Sequence, residues 1–250
     1  MTDKNYTHIS VLIDESGSMG NLAADTRGGF NSFLKDQQAV GGKATMTVCT
    51  FSNGYKILSS MRDINSVEPL TGTSYCPGGG TALLDAMGKC ITELGSALAA
   101  LPDEKRPGKI LFLVITDGEE NSSREWNKAK IAEMVKRQES EYKWNFLYLG
   151  ANVDAFAESA NMGIRAANAI GYNATSKGIH DAYHVVSRSL GAVRGCAAPG
   201  MSYDVFSSSH VDELQNTDFT EKFKHLSVDV SNIGVDSATS NKKDVPDPKV

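Results

Sequence analysis

The sequence lacks a long uninterrupted apolar run, which excludes a membrane-spanning helix, because such a helix needs roughly 20 apolar residues. It also lacks the basic and then apolar N-terminal pattern of a secretory signal. Its four cysteines (Cys49, Cys76, Cys90 and Cys196) are scattered and form no CxxC pair. In a chain of 250 residues without a signal, this pattern indicates reduced thiols. We therefore predict a cytoplasmic protein with no membrane partner.

An excess of positive charge is also missing. The chain has 25 Lys and Arg residues against 30 Asp and Glu residues, which gives a formal net charge of −5. This balance argues against general binding to a phosphate backbone, which depends on clustered Lys and Arg. We therefore predict no nucleic-acid partner.

Strand-like and helix-like segments alternate along the first 195 residues. YTHISVLI (6–13) and KILFLVIT (109–116) are short runs rich in β-branched and apolar residues, whereas a clear helical pattern opens at Thr81. This alternation predicts an α/β fold, a doubly wound and mostly parallel open sheet with helices on both faces. The Asn53–Gly54 dipeptide is a strong hairpin signal and adds one antiparallel edge strand.

The alternating pattern ends near residue 195. We predict one domain over residues 1–195 and a polar C-terminal extension over residues 196–250, rich in Ser, Asn, Asp and Lys. The last 15 or so residues, which end in KKDVPDPKV, have the composition of a disordered tail. Within the domain, Gly28 and Gly29 lie inside the first predicted helix and weaken it by about 1 kcal/mol each relative to alanine.

Three polar clusters lie where ligands gather in open α/β sheets, at the carboxyl ends of the strands. The first contains Asp14, Ser16 and Ser18, the second Thr81 after three glycines, and the third Asp117 after the most hydrophobic strand. All five side chains offer oxygen, which is the ligand atom that hard cations such as Mg²⁺ prefer. We predict one divalent-cation site, with Mg²⁺ as the first choice and Mn²⁺ or Ca²⁺ as alternatives.

The predicted ligands divide into two roles. The hydroxyls of Ser16 and Ser18 point the same way in a tight turn and would bind the ion directly, with Thr81 as a direct or switchable ligand. Asp14 and Asp117 would hold coordinated water. Two carboxylates balance a divalent ion without over-neutralising it, so the site would still attract an acidic group from a partner.

These motifs resemble the metal-ion-dependent adhesion site (MIDAS) of von Willebrand factor A (VWA) domains. That site has D-x-S-x-S after the first strand, a later threonine, and an aspartate in a T/S-D-G context; the matching segments here are DESGS, GGTALLDA and ITDGEEN. The resemblance covers roughly residues 6 to 194. It implies a protein partner that presents Asp or Glu to the metal, and a likeness to the stand-alone VWA domains of bacteria and phages.

Other functions stay open beside this one. The DESGS segment alone is also typical of a helix-capping turn. A magnesium-dependent phosphoester hydrolase shares metal and acidic residues at strand ends, but the sequence shows no D-x-D nucleophile and no obvious Lys or Arg for the phosphate. Ser16 also lacks the glycine spacing of a hydrolase elbow, so we predict no enzymatic activity. A third possibility is a structural subunit of a larger bacterial or phage assembly.

Other polar side chains are not predicted to bind the metal ion. Glu15, Glu119 and Glu120 are predicted to line the rim of the site rather than to bind the ion. His180 and His184 have the helical spacing of a zinc pair, but no third ligand is evident, so an exposed helix face is favoured.

Overall fold

The computed structural model describes residues 2–151, 154–195 and 204–206. In this part of the chain, six strands form one sheet in the order β3-β2-β1-β4-β5-β6, with five α-helices around it. The strands are β1 (Asp3–Asp14), β2 (Lys43–Phe51), β3 (Tyr55–Asp63), β4 (Pro107–Thr116), β5 (Trp144–Ala151) and β6 (Ala169–Tyr172). The helices are α1 (Ala23–Ala39), α2 (Leu83–Ala99), α3 (Lys128–Tyr142), α4 (Ala155–Asn161) and α5 (Ser176–Gly195).

The sheet is mixed and mostly parallel. Every pair of neighbouring strands is parallel except β2 and β3, which are antiparallel. The predicted fold class is therefore confirmed. The predicted disordered tail and Cys196 lie outside the described residues, within which no helix is both long and apolar enough to cross a membrane.

The two central strands, β1 and β4, are buried on both faces, which explains their nearly continuous apolar sequences. Successive side chains of a strand point to opposite faces, so Val11 and Leu12 enter different cores. The core on the Val11 side contains residues of α1 and α5. The core on the Leu12 side contains residues of α2, α3 and α4. Helices thus cover both faces, as the sequence predicted.

The edge strand β3 follows β2 through the predicted Asn53–Gly54 turn. Phe51 pairs with Tyr55 across this hairpin, and the Ser52 N–H donates to the Gly54 carbonyl at 2.9 Å. The register shifts twice along the pair, which breaks the regular ladder of an exposed edge. The hairpin signal in the sequence therefore located this edge strand correctly.

The packing of α1 against α5 depends on Gly29. A Cβ atom built on Gly29 would lie 2.3 Å from Cδ2 and 3.0 Å from Cγ of Tyr183, whose ring is buried. The neighbouring Gly28 has nothing within 4 Å of its own Cβ position. The two glycines look equivalent in the sequence, but only Gly29 is required for close contact between the helices.

We expect Gly29→Ala to destabilise the fold by about 1–3 kcal/mol, because the added methyl group overpacks the Tyr183 ring. Gly28→Ala is the matched control and should stabilise by about 0.5–1 kcal/mol through helix propensity alone. Urea unfolding of both variants measures the difference. A stabilising effect of Gly29→Ala would show that α1 and α5 do not pack as described.

Residues 204–206, which come after α5 in the sequence, contact the domain. The Val205 N–H donates to Asn168 Oδ1 at 2.8 Å, and the Phe206 N–H donates to the Ala167 carbonyl at 3.2 Å. The side chains of Val205 and Phe206 are buried in the core on the Val11 side of the sheet. These residues follow the predicted boundary at 195, so at least this part of the extension packs with the domain.

Candidate metal centre

The predicted ligands meet where the strand order reverses. From β1 the chain continues to β2 on one side of the sheet, whereas β4, β5 and β6 lie on the other side. Such a reversal opens a crevice at the carboxyl ends of the two central strands. Ile13 pairs with Ile115 in the register of β1 and β4, so the residues that follow them, Asp14 and Thr116, lie side by side in this crevice.

A chain of hydrogen bonds joins four of the predicted ligands. Asp14 Oδ1 accepts the N–H of Ser16 at 2.7 Å, and the Ser18 hydroxyl donates to Asp117 Oδ1 at 2.7 Å. The Oγ atoms of Ser16 and Ser18 are 3.0 Å apart. Because Ser18 gives its proton to Asp117, Ser16 donates to Ser18. The spacing of the two serines thus brings their hydroxyls together, as the sequence predicted.

Three further residues hold this chain in place. The Thr116 hydroxyl donates to Asp14 Oδ2 at 2.6 Å, so both oxygens of this carboxylate are fixed. The Tyr75 hydroxyl donates to the backbone carbonyl of Asp14 at 2.7 Å, and the Tyr172 hydroxyl donates to the backbone carbonyl of Thr116 at 3.3 Å. Sequence reasoning assigned no role to these residues. The threonine of T-D-G was a signal for Thr116, whereas no sequence signal pointed to the two tyrosines.

Thr81 joins the same site from a different loop. A Cβ atom on Gly118 would lie 3.5 Å from Ser18 Oγ and 3.6 Å from Thr81 Oγ1, so these two hydroxyls flank the Gly118 backbone. Asn121 bonds to both backbone groups of Thr81. Its side-chain Oδ1 accepts the Thr81 N–H at 2.9 Å, and its backbone N–H donates to the Thr81 carbonyl at 3.1 Å. The prediction that the helix opens at Thr81 was two residues early: α2 begins at Leu83, and Thr81 is a loop residue.

The three glycines before Thr81 bring their loop against the DESGS loop. The Gly17 N–H donates to the Gly79 carbonyl at 3.0 Å, and the Gly78 N–H donates to the Glu15 carbonyl at 2.8 Å. Gly79 has a φ of +86°, a conformation that favours glycine. At Gly80, a Cβ atom would lie 2.2 Å from Ser122 Oγ. The glycines therefore allow close contact between the loops that carry the predicted ligands.

The start of α2 and the loop after β4 cap each other. Glu120 Oε2 accepts the Leu84 N–H at 3.0 Å, at the first turn of α2. In the other direction, the Asp85 carboxylate of α2 accepts the N–H groups of Arg124, Glu125 and Trp126, each at 2.9 Å. α3 begins after this loop, at Lys128, where Asn127 Oδ1 caps the helix by accepting the Lys130 N–H at 3.0 Å.

The acidic residues predicted to line the rim differ in their surroundings. Glu120 is turned inward as the cap described above, whereas Glu119 is exposed. Glu15 is half-buried, and its Oε1 accepts the Cys76 N–H. His180 and His184, by contrast, lie on the exposed side of α5.

Both carboxylates of the site, Asp14 and Asp117, are buried. Asp14 has no exposed surface, and burial raises its pKa from an ordinary value of 3.8 to about 6. The hydrogen bonds from Thr116 and Ser16 lower the pKa of Asp14, and the nearby Asp117 carboxylate raises it. Burial also raises the pKa of Asp117, against the effect of the Ser18 hydroxyl. Neither carboxylate has an ion-pair partner among the described residues.

The donor set fits a hard divalent cation. It consists of two carboxylates and three hydroxyls, all oxygen, and a positive ion would relieve the cost of burying two adjacent negative charges. Across residues 2–151, 154–195 and 204–206, no three His, Cys, Asp or Glu side chains cluster as a metal site. The predicted set contains only two such side chains, Asp14 and Asp117.

Comparison with known proteins finds similarity in structure but not in sequence. No family profile matches the chain, and no curated protein matches it. Proximal thread matrix protein 1 (PTMP1) from the mussel byssus is 15% identical, with a TM-score of 0.54 over 75% of this chain and 47% of that chain. A second PTMP1 structure, with a zinc-occupied MIDAS motif, is 14% identical, with a TM-score of 0.52 over 76% of this chain and 47% of that chain.

A von Willebrand factor type A protein from Catenulispora acidiphila is 14% identical, with a TM-score of 0.49 over 74% of this chain and 42% of that chain. The chain thus spans less than half the length of these solved structures. The chain has the fold of VWA domains, with a mostly parallel sheet, one antiparallel strand and helices on both faces. The resemblance found in the sequence is confirmed at the level of the fold.

Proposed function

We propose that this protein binds one divalent cation and uses it to bind an acidic side chain of a protein partner. The ligands would be Asp14, Ser16, Ser18, Thr81 and Asp117. The observation that carries the proposal is the pair of buried carboxylates, linked through two hydroxyls and without a counter-ion among the described residues. Such an arrangement costs stability unless a positive ion is bound.

The type of ion follows from the donor atoms. PTMP1 has been solved with zinc in its MIDAS motif, which supports a divalent cation in this fold. Zinc sites in proteins favour nitrogen and sulfur ligands, whereas Mg²⁺ and Mn²⁺ prefer oxygen. We therefore propose Mg²⁺, with Mn²⁺ or Ca²⁺ as alternatives, for the oxygen set of this site.

The arrangement of charge explains why the partner would be acidic. The bound ion would supply a positive centre that attracts an anion. Asp14 and Asp117 together carry two negative charges, which balance but do not exceed those of the ion. Ser16, Ser18 and Thr81 add oxygen atoms without adding charge. Because Asp14 and Asp117 would hold coordinated water and not contact the ion directly, the ion would keep much of its attraction for a partner's Asp or Glu.

Domain organisation and cellular location are proposals of the same kind. We propose residues 1–195 as the metal-binding domain and residues 196–250 as an extension, of which residues 204–206 pack with the domain. Cys49, Cys76 and Cys90 are free thiols, which supports a reducing compartment such as the cytoplasm of a bacterium or of a phage-infected cell.

Calorimetric titration of the chelator-treated protein with Mg²⁺, Mn²⁺, Ca²⁺ and Zn²⁺ tests the metal site. We expect one ion per chain, bound at least about tenfold more weakly by Asp117→Ala. Glu119→Gln is the matched control, because it removes an exposed carboxylate from the same loop and should leave the affinity unchanged. If the wild-type protein binds no ion, even with acetate added as a carboxylate ligand, the proposed function is wrong. Magnesium-dependent turnover of a phosphoester would instead favour the hydrolase.

A further inference from the structure

A polar cavity of about 590 Å³ lies beside the candidate metal centre. Its walls come from the β2–β3 hairpin, the start of α2 and the loop after β4. Ala82 lines the cavity, and six other lining residues bear on its chemistry: Asn53, Asp85, Lys89, Asn121, Arg124 and Glu125. Ala82 follows the predicted ligand Thr81 directly, so the cavity and the metal centre are neighbours along the same segment.

Two asparagines link the cavity to the segment that carries Thr81. Asn53 Oδ1 accepts the Gly80 N–H at 2.8 Å, and Asn121 Oδ1 accepts the Thr81 N–H at 2.9 Å. Because both carbonyl oxygens are used in this way, the side-chain NH₂ groups are the part of each asparagine that remains available to a ligand. The asparagine side chains therefore add hydrogen-bond donors to the cavity wall.

The acidic groups of the cavity are already paired. The Asp85 carboxylate accepts three backbone N–H groups from residues 124–126, each at 2.9 Å. Glu125 forms an ion pair with Lys89 at 3.1 Å. The guanidinium of Arg124, by contrast, has no hydrogen-bond or ion-pair partner among residues 2–151, 154–195 and 204–206. Within the part of the chain that the structure describes, the cavity thus presents one unpaired cation, Arg124, beside the NH₂ donors of Asn53 and Asn121.

We propose that this cavity binds a second acidic side chain from the same partner segment whose first acidic residue binds at the metal centre; this rests on the proposed function. A carboxylate matches both the guanidinium fork of Arg124 and the NH₂ groups of Asn53 and Asn121. An extended chain advances about 3.3 Å per residue, so a segment bound near Thr81 reaches the adjoining cavity within a few residues. The partner motif therefore contains two acidic residues a short distance apart.

The cavity is tested first in the absence of metal. Full-length ¹⁵N-labelled protein in EDTA is titrated with glutarate, and the side-chain NH₂ signals of Asn53 and Asn121 are followed by NMR. We expect saturable shifts in the wild type and binding about fivefold weaker in Arg124→Ala. Arg62→Ala is the matched control, because Arg62 is exposed on β3 and pairs with Met46, away from the carboxyl end of β2. No shift in the wild type, or equal binding by Arg124→Ala, overturns the proposal.

Binding of a two-acid segment is tested with peptides. Arrayed Gly/Ser heptapeptides carry one central Asp, with a second Asp at each other position in turn, and are probed in Mg²⁺ and in EDTA. We expect a second Asp, at one or more positions, to strengthen magnesium-dependent binding about fivefold in the wild type but not in Arg124→Ala.

The two proposals fail in different ways. If single-Asp peptides bind with Mg²⁺ but no second Asp strengthens binding, the two-acid motif is wrong and the metal-dependent function is supported. If glutarate shifts the asparagine signals but no peptide binds in Mg²⁺, the metal-dependent function is wrong and the cavity is an anion site only.

Discussion

Asp14→Asn is expected to weaken divalent-cation binding by about 10- to 100-fold while the metal-free protein keeps its fold. The asparagine Oδ1 can still accept the Ser16 N–H, and its NH₂ group can donate to Thr116 Oγ1. The Thr116 hydroxyl can then donate to the Gly118 carbonyl, 3.2 Å away. The substitution thus removes the charge while the Ser16 N–H and the Thr116 hydroxyl keep hydrogen-bond partners.

The same variant should be more stable than the wild type when metal is absent. Because burial raises the pKa of Asp14 to about 6, the folded protein holds this proton more tightly than the unfolded chain does. The metal-free wild type therefore loses stability as the pH rises from about 4 through about 6, by up to about 3 kcal/mol. Asp14→Asn has no such proton to lose, so at pH 7 in EDTA its free energy of unfolding should exceed that of the wild type.

Urea unfolding in EDTA across pH 4–7, beside metal titration, checks both expectations. Asp63→Asn is the matched control, because Asp63 Oδ1 also accepts the N–H two residues ahead, at Asn65, but the side chain is exposed. This control should change neither metal affinity nor the pH dependence. A metal-free Asp14→Asn protein that is less stable than the wild type at pH 7 would show that the Asp14 charge is compensated in some other way.

Phe206→Ala is expected to destabilise the protein by about 3–5 kcal/mol, as is typical for truncating a buried phenylalanine. Phe206 is 4% exposed and packs in the same core as α1 and α5, although it lies beyond the predicted domain boundary. Its backbone N–H is also bonded, to the Ala167 carbonyl. The loss of stability should therefore appear in the unfolding transition of the domain itself.

The measurement is the midpoint of thermal or urea unfolding, with Phe156→Ala as the control. Phe156 is 51% exposed on α4, so its truncation should change stability by no more than about 0.5 kcal/mol. Equal effects of the two substitutions would mean that residues 204–206 are not part of the folded core. In that case a domain ending at residue 195 would be the better description.

The sequence was sufficient to predict the fold because its strongest patterns reflect burial. The apolar run of β4 is buried on both faces, and the Asn53–Gly54 turn fixes the antiparallel edge, so both features follow from local residues alone. The different roles of Gly28 and Gly29 do not follow from local residues, because they depend on which glycine contacts Tyr183 of a helix about 150 residues later.

The candidate site was predictable in part for the same reason. Asp14 ends β1 and Asp117 follows β4, and these two strands lie side by side, so the topology alone brings the residues together. Asn121 was assigned no role, and Glu120 was predicted only to line the rim. Each accepts a backbone N–H of a distant segment, and no periodicity in the sequence reports such a bond. For this reason the start of α2 was placed at Thr81, two residues before the first helical residue.

The reciprocal capping of α2 and the loop after β4 has a consequence for motion. Glu120 occupies an N–H of α2, and Asp85 of α2 occupies three N–H groups of the loop, so neither segment can leave its place without exposing unbonded groups of the other. The two segments therefore form one cooperative unit of local unfolding. Thr81 and Asp117 flank this unit, so a fluctuation that moves the unit would move both residues together and would preserve the distance between these two predicted ligands.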